Sequence, residues 1–256
     1  MNELIIIIDR LLKKILEETL KIKSEKSNCQ KFYYEVLFTN IRLFEGAIFL
    51  LAQFKESPHL QVSFISIMRD LISNLILVEY ISQKENDSLA NIDEELEKLY
   101  SEHYRFKKKS KKIESILFKT FENRAQYEES FDKLGEKYYS DTGNIKPHLK
   151  KIQSTFDRIK YIESRFKKDE KPIIRILYLW YTAFSKIAHF GELTIPQIAN
   201  KYNQLNEEQV SENYSFLLRT VTDYIVGIYS KVIHKDPLEE EIILDLKKVL
   251  EFENGT

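Results

Sequence analysis

The chain has 256 residues, of which 43% are hydrophobic and 31% charged, enough apolar material for a packed core beneath a well-solvated surface. Lys and Arg number 39 against 40 Asp and Glu, so the formal net charge of −1 excludes a global basic field for nucleic acid and confines any such site to a local patch. With only 6 Gly and 5 Pro, a fold of many tight turns is disfavoured, and long helices joined by polar loops are expected.

The first helix is predicted from Asn2 to about Lys23, with Leu4, Ile8, Leu11, Leu12, Ile15 and Leu20 on its apolar side. The short run Leu4 to Ile8 follows Glu3 and precedes Asp9, which is not the pattern of a signal peptide. The polar stretch Ser24 to Asn28 reads as a turn, and Cys29 beside it reads as a linker thiol. As the only cysteine it excludes an intramolecular disulfide and a thiolate-rich metal cage, and the expected location is the cytoplasm. A second, aromatic-rich helix is predicted over Gln30 to Phe54. Ser57-Pro58 then starts a third, reaching about Gln83. That third helix is apolar nearly all round, so it is expected to be the most buried element. No run reaches the ~18 uncharged apolar residues of a bilayer span, because Arg42 and Glu45 interrupt one candidate and Arg69 and Asp70 the other.

From Asp93 to about Tyr139 the chain turns strongly charged with a sparser apolar repeat, which predicts one or two long helices that partly project from the body. Asp141-Thr142-Gly143-Asn144 is the clearest loop. Helices are then predicted over Pro147 to Phe166, Pro172 to His189 and Glu207 to His234, with a short one near Pro196 to Tyr202 and a last amphipathic one from Pro237. The expected architecture is all-α, a multi-helix bundle forming a single domain over 1–256 with a charged excursion at about 88–140.

The chemistry-bearing residues concentrate in a few places. On the Pro172–His189 helix, Arg175, Tyr178, Thr182, Ser185 and His189 recur at spacings of three and four, so they share one face. The other face carries Ile174, Leu177, Trp180, Tyr181, Phe184, Ile187 and Ala188. The polar stripe either meets solvent or lines a site. Arg69 sits amid Phe64, Ile65, Met68, Ile72 and Ile76; a guanidinium buried there needs a partner, with Glu45, Asp70 and Glu79 the candidates. In the functional alternative, Arg69 holds an anion beside Ser185 and His189, and His189 moves a proton. The run Arg105, Phe106, Lys107, Lys108, Lys109, Ser110, Lys111, Lys112 is the strongest basic patch and reads either as a solvated face or as a contact for a phosphate backbone or an acidic partner.

Glycines are scattered singly, so no phosphate-binding fingerprint exists, and the five histidines fall on separate elements without a ligand pair; no cofactor or metal is expected. The segments SFISIMRDLISNLILVEYI (Ser63 to Ile81) and YLWYTAFSKIAHFG (Tyr178 to Gly191) together resemble a bacterial family of all-helical proteins of unknown function, with an Arg in an early apolar helix and a Ser-x-x-x-His ending a later one. More loosely, the chain is similar to HEPN-like helical proteins. That resemblance implies a bacterial defence or toxin–antitoxin setting and, through Arg69, Ser185 and His189, a metal-independent ribonuclease. The HEPN spacing of Arg and His, five to seven residues apart on one helix, does not occur here. The leading expectation is therefore an interaction module that binds a partner protein or RNA without a membrane. The ribonuclease is the alternative, and a homo-oligomer could form through the apolar N-terminal helix.

Overall fold

The structure, a computed structural model, describes residues 2–22, 27–53, 60–87, 91–117, 137–140, 144–149, 153–166, 173–189, 207–233 and 240–252, with only the backbone for 103, 106–117, 187–189, 207–211 and 213. These residues form eight α-helices: α1 (Asn2–Leu20), α2 (Asn28–Ala52), α3 (Gln61–Glu85), α4 (Ile92–Leu117), α5 (Thr155–Glu163), α6 (Ile173–His189), α7 (Glu207–Ile233) and α8 (Glu240–Leu250). The fold is an all-α multi-helix bundle. The predicted short helix near Pro196 to Tyr202 and most of the Asp141–Asn144 loop lie outside the described residues.

Two compact units share the chain. One comprises 1–83 and 157–256, and the other runs from Lys84 to Phe156 and so contains the charged stretch. In the second unit, Asn91 opens α4 by accepting the Glu94 N–H at 3.2 Å on its side chain. Tyr104 of α4 packs with Tyr138 and Leu149 in a small core of its own, joined by Tyr100, Tyr139 and Ile145. Tyr139 and Ile145 form an isolated antiparallel bridge. Pro147–Leu149 is a 3₁₀ turn and α5 begins separately at Thr155, so the single helix expected over Pro147 to Phe166 is in fact two elements.

In the first unit, α7 packs against α1, α2 and α8, while α1 also lies on α2 and α8. Tyr214 of α7 meets α3 through an edge-on ring contact with Phe64 at 5.1 Å and accepts a hydrogen bond from Gln61 at 3.4 Å. Asn74 of α3 donates to buried Asn40 of α2 at 3.0 Å. The α1 core side is Leu4, Ile8, Leu11, Leu12, Ile15 and Thr19. Leu20, expected on that side, is 58% exposed, because the buried spacing of three and four lands on Thr19, whose hydroxyl bonds back to the Ile15 carbonyl at 2.6 Å. α2 starts earlier than predicted. Ser27 and Gln30 form a reciprocal capping box, which carries the helix back to Asn28 and makes Cys29 a half-buried residue of its first turn rather than a linker thiol. Among the described helices α3 alone is long and apolar enough by composition to cross a membrane, and half of that stretch is buried inside the first unit.

Charge fastens α1 to α8. Arg10 donates to both oxygens of Asp245, at 2.8 and 3.3 Å, and Lys248 adds a bond at 3.2 Å; Lys14 bridges to Glu241 at 2.6 Å. The Asp245 side chain is only 7% exposed. Burial pushes its carboxyl up, but the hydrogen bonds and charges of Lys248 and Arg10 outweigh that and hold it below the ordinary carboxylate value. A lowered folded-state pKa means that the contribution to stability is full above the unfolded value of about 3.9 and disappears as pH falls through the folded value. Asp245→Asn should therefore cost about 1.5–3 kcal/mol at pH 7, the range for hydrogen bonds to a charged group. Urea unfolding at pH 7 and at successively lower pH should show that gap closing in acid.

Candidate functional site

The polar stripe of α6 is positioned as its spacing predicts, yet most of it is engaged locally. Arg175 donates to Glu163 of α5 at 2.5 Å, and the Thr182 hydroxyl bonds back to the Leu179 carbonyl at 2.8 Å. Tyr178 stacks near Tyr181, with ring centroids 6.2 Å apart. The Ser185 Oγ is enclosed without a hydrogen-bond partner among the described residues. The His189 backbone closes the helix, but its side chain lies outside the described residues, as do those of Lys107, Lys108, Lys109, Lys111 and Lys112. Arg105, at the head of the basic run, is half-buried on α4.

Arg69 is not a buried cation. Its side chain is 25% exposed and folds onto its chain neighbour Asp70, with Nη2 and Nε at 2.6 and 2.9 Å from Oδ1. Glu45, one candidate partner, pairs instead with Arg42 on its own helix at 2.9 Å. The length of the arginine stem explains the correction: it carries the guanidinium out of the apolar surroundings of its Cα to the rim, where Asp70 also reaches.

Two features were not anticipated from sequence. The first is on α6, where burial takes only the side of Ile174, Leu177 and Phe184, while Ile173, Ile176 and Leu179 remain 46%, 39% and 66% exposed. At about 100° per residue, Ile176, Leu179 and Ala183 form a third face between the polar stripe and Trp180. The helix thus leaves an apolar strip that no described element covers.

The second is a cavity of about 400 Å³ between α3, α7 and α8 in the first unit. Val78 and Leu246 contribute apolar wall, and Glu79, Asp223, Tyr224 and Lys231 bring polar groups to it. Gln83 holds one oxygen of Glu79 at 2.9 Å, and the Lys231 ammonium rests over the Tyr33 ring, 5.1 Å from its centroid. Asp223 makes no hydrogen bond or ion pair among the described residues, and partial desolvation raises its carboxyl above the usual value even though the residue reaches solvent. Burial pushes the Tyr224 phenol up strongly, with the negative charges of Glu79 and Asp223 adding to the effect. The signal in the sequence was a glycine inside a long helix: Gly227 lies one turn after Asp223 and lines the cavity. No group of three or more His, Cys, Asp or Glu side chains that could hold a metal occurs among the described residues.

Comparison with protein-family models, with curated proteins and with solved structures finds no match to this chain.

An exposed ion pair between chain neighbours contributes little, about 0–1 kcal/mol. Arg69→Ala should accordingly shift the unfolding free energy by no more than about 1 kcal/mol, whereas loss of one partner from a buried bridge would cost about 3–5 kcal/mol. Chemical denaturation of the two proteins side by side decides between these values.

Proposed function

We propose that the protein is a helical interaction module that receives a partner protein on α6, in the reducing setting of the cytoplasm. The observation that carries this reading is the exposed strip Ile176, Leu179 and Ala183, with exposed Ile173 one turn before it, on a helix whose Ile174, Leu177 and Phe184 side is anchored in the core. Large apolar side chains aligned at helical spacing on a rigid element offer the complementary half of a helix-in-groove or helix-on-helix contact. Arg175 and exposed Lys186 border the strip on one flank, and α6 carries no carboxylate. The occupant that fits is an amphipathic helix with apolar residues at i, i+3 and i+7 and an acidic flank facing Lys186. The resemblance to HEPN-like helical proteins supports a bacterial defence or toxin–antitoxin setting for such a partnership. A hydrolase using Arg69, Ser185 and His189 draws no support from the described geometry, since Arg69 is bonded to Asp70 and the Ser185 hydroxyl is enclosed.

A photo-crosslinking residue at 176, introduced in the native cell, should trap one defined protein. Leu179→Glu should abolish that adduct while changing stability by no more than about 0.5 kcal/mol, as expected of an exposed position. Phe49→Glu, at an exposed position on α2, should leave it intact. Adducts to RNA rather than protein, or equal loss in both variants, would overturn the reading.

A further inference from the structure

The cavity between α3, α7 and α8 is separate from the α6 strip, and its chemistry points to a different kind of ligand. Its size falls within the range of about 300–1,000 Å³ typical of small-molecule sites. It opens to solvent along Asp223 and Gly227, with Val78, Val226 and Leu246 as apolar wall and Glu79, Asp223 and Lys231 as charged lining. Of the charged groups that line it, Glu79 and Asp223 are negative and Lys231 is positive, and the Lys231 ammonium is committed to the face of Tyr33. The net charge offered to an occupant is therefore negative. Two carboxylates without a third oxygen or nitrogen ligand from a neighbouring acid or histidine make a poor cage for a metal ion, which would demand more donors than these residues supply.

We propose that this cavity binds a small organic cation, a primary ammonium or guanidinium group on a short apolar body, with Asp223 and Glu79 holding the charge and Val78, Val226 and Leu246 packing the body. Gln83 fixes the orientation of Glu79 by donating to Oε1 at 2.9 Å. Asp223 supplies the free acceptor, since no other described group satisfies it. A cation placed against both would also offset the effect of partial desolvation on Asp223, because an opposite charge nearby favours the ionised form.

Gly227 makes the idea testable without unfolding the protein. It sits inside α7 on the cavity surface, and a Cβ added there would meet nothing within 4 Å. Leucine is also a far better helix former than glycine, so Gly227→Leu should fill the space and keep the fold. The experiment titrates the full-length protein with primary amines from propylamine to phenethylamine, and with the matching alcohols, by ligand-observed NMR and calorimetry. The expected result is saturable amine binding, with alcohols weaker by about tenfold or more, the scale of one charged hydrogen bond. Asp223→Asn should weaken amine binding by a similar factor, and Gly227→Leu should abolish it with an unchanged circular dichroism spectrum. Absence of binding by every amine, equal binding of alcohols, or unaltered binding in Gly227→Leu would overturn the site. Unaltered affinity in Asp223→Asn would overturn the cation assignment.

Discussion

The first unit depends on the burial of most of the α7 surface from Tyr214 to Val232. Its long run of Leu217, Leu218, Val221, Ile225, Ile228, Tyr229 and Val232 is buried, and α1, α2, α3 and α8 all lean on it. Such a helix can be enclosed only if its polar side chains find partners inside, because an unsatisfied buried hydroxyl costs about 1–3 kcal/mol. The threonines solve this within the helix. Thr222 bonds back to the Leu218 carbonyl at 2.8 Å, and Thr220 to Phe216 at 2.9 Å. Arg219 extends the same economy outward: Nη1 donates to the Leu250 and Phe252 carbonyls at 3.3 and 3.2 Å, closing the C-terminal end of α8, where a cation is also favoured by the helix dipole.

The features with functional potential lie where this packing stops. On α7, Phe216, Asp223 and Gly227 form the exposed strip, and the cavity opens along Asp223 and Gly227. On α6, Ile174, Leu177 and Phe184 exhaust the core contact, and the next apolar strip faces outward. In both cases the site is the part of a core helix that no other described element covers. The two differ in chemistry: the α6 strip is apolar with Lys186 at its edge, and the cavity carries a negative balance of charge.

Much of the fold was legible in the chain. The spacing of Leu4, Ile8, Leu11, Leu12 and Ile15, the near-continuous apolar character of α3 and the polar breaks between helices all reflect local geometry, which a linear pattern records directly. The start of α2 is equally local, carried by the Ser27–Gln30 box, but it lay inside the polar stretch that read as a turn. The candidate site was less legible. Arg69 looked buried because its neighbours in sequence are apolar, but a long side chain delivers its charge well away from its own Cα. α3 was expected to be the most buried helix, whereas α7 emerges as the packing centre, because threonines that lower its apparent hydrophobicity bond back to their own helix.

By itself, then, the sequence determined that the protein is all-helical, where its principal helices run, and which residues share a face along each of them, since backbone hydrogen bonding and the period of about 3.6 residues act over a single turn. It also determined that no phosphate-binding glycine loop and no histidine pair at ligand spacing exists along the chain. Only the tertiary structure decided which of three faces of α6 is buried, that Asp70 rather than Glu45 takes Arg69, and that Glu79 and Asp223, far apart in the chain, line one cavity. Those outcomes depend on which helices pack together and on the space their side chains leave unfilled, and neither quantity has a local signature in the chain.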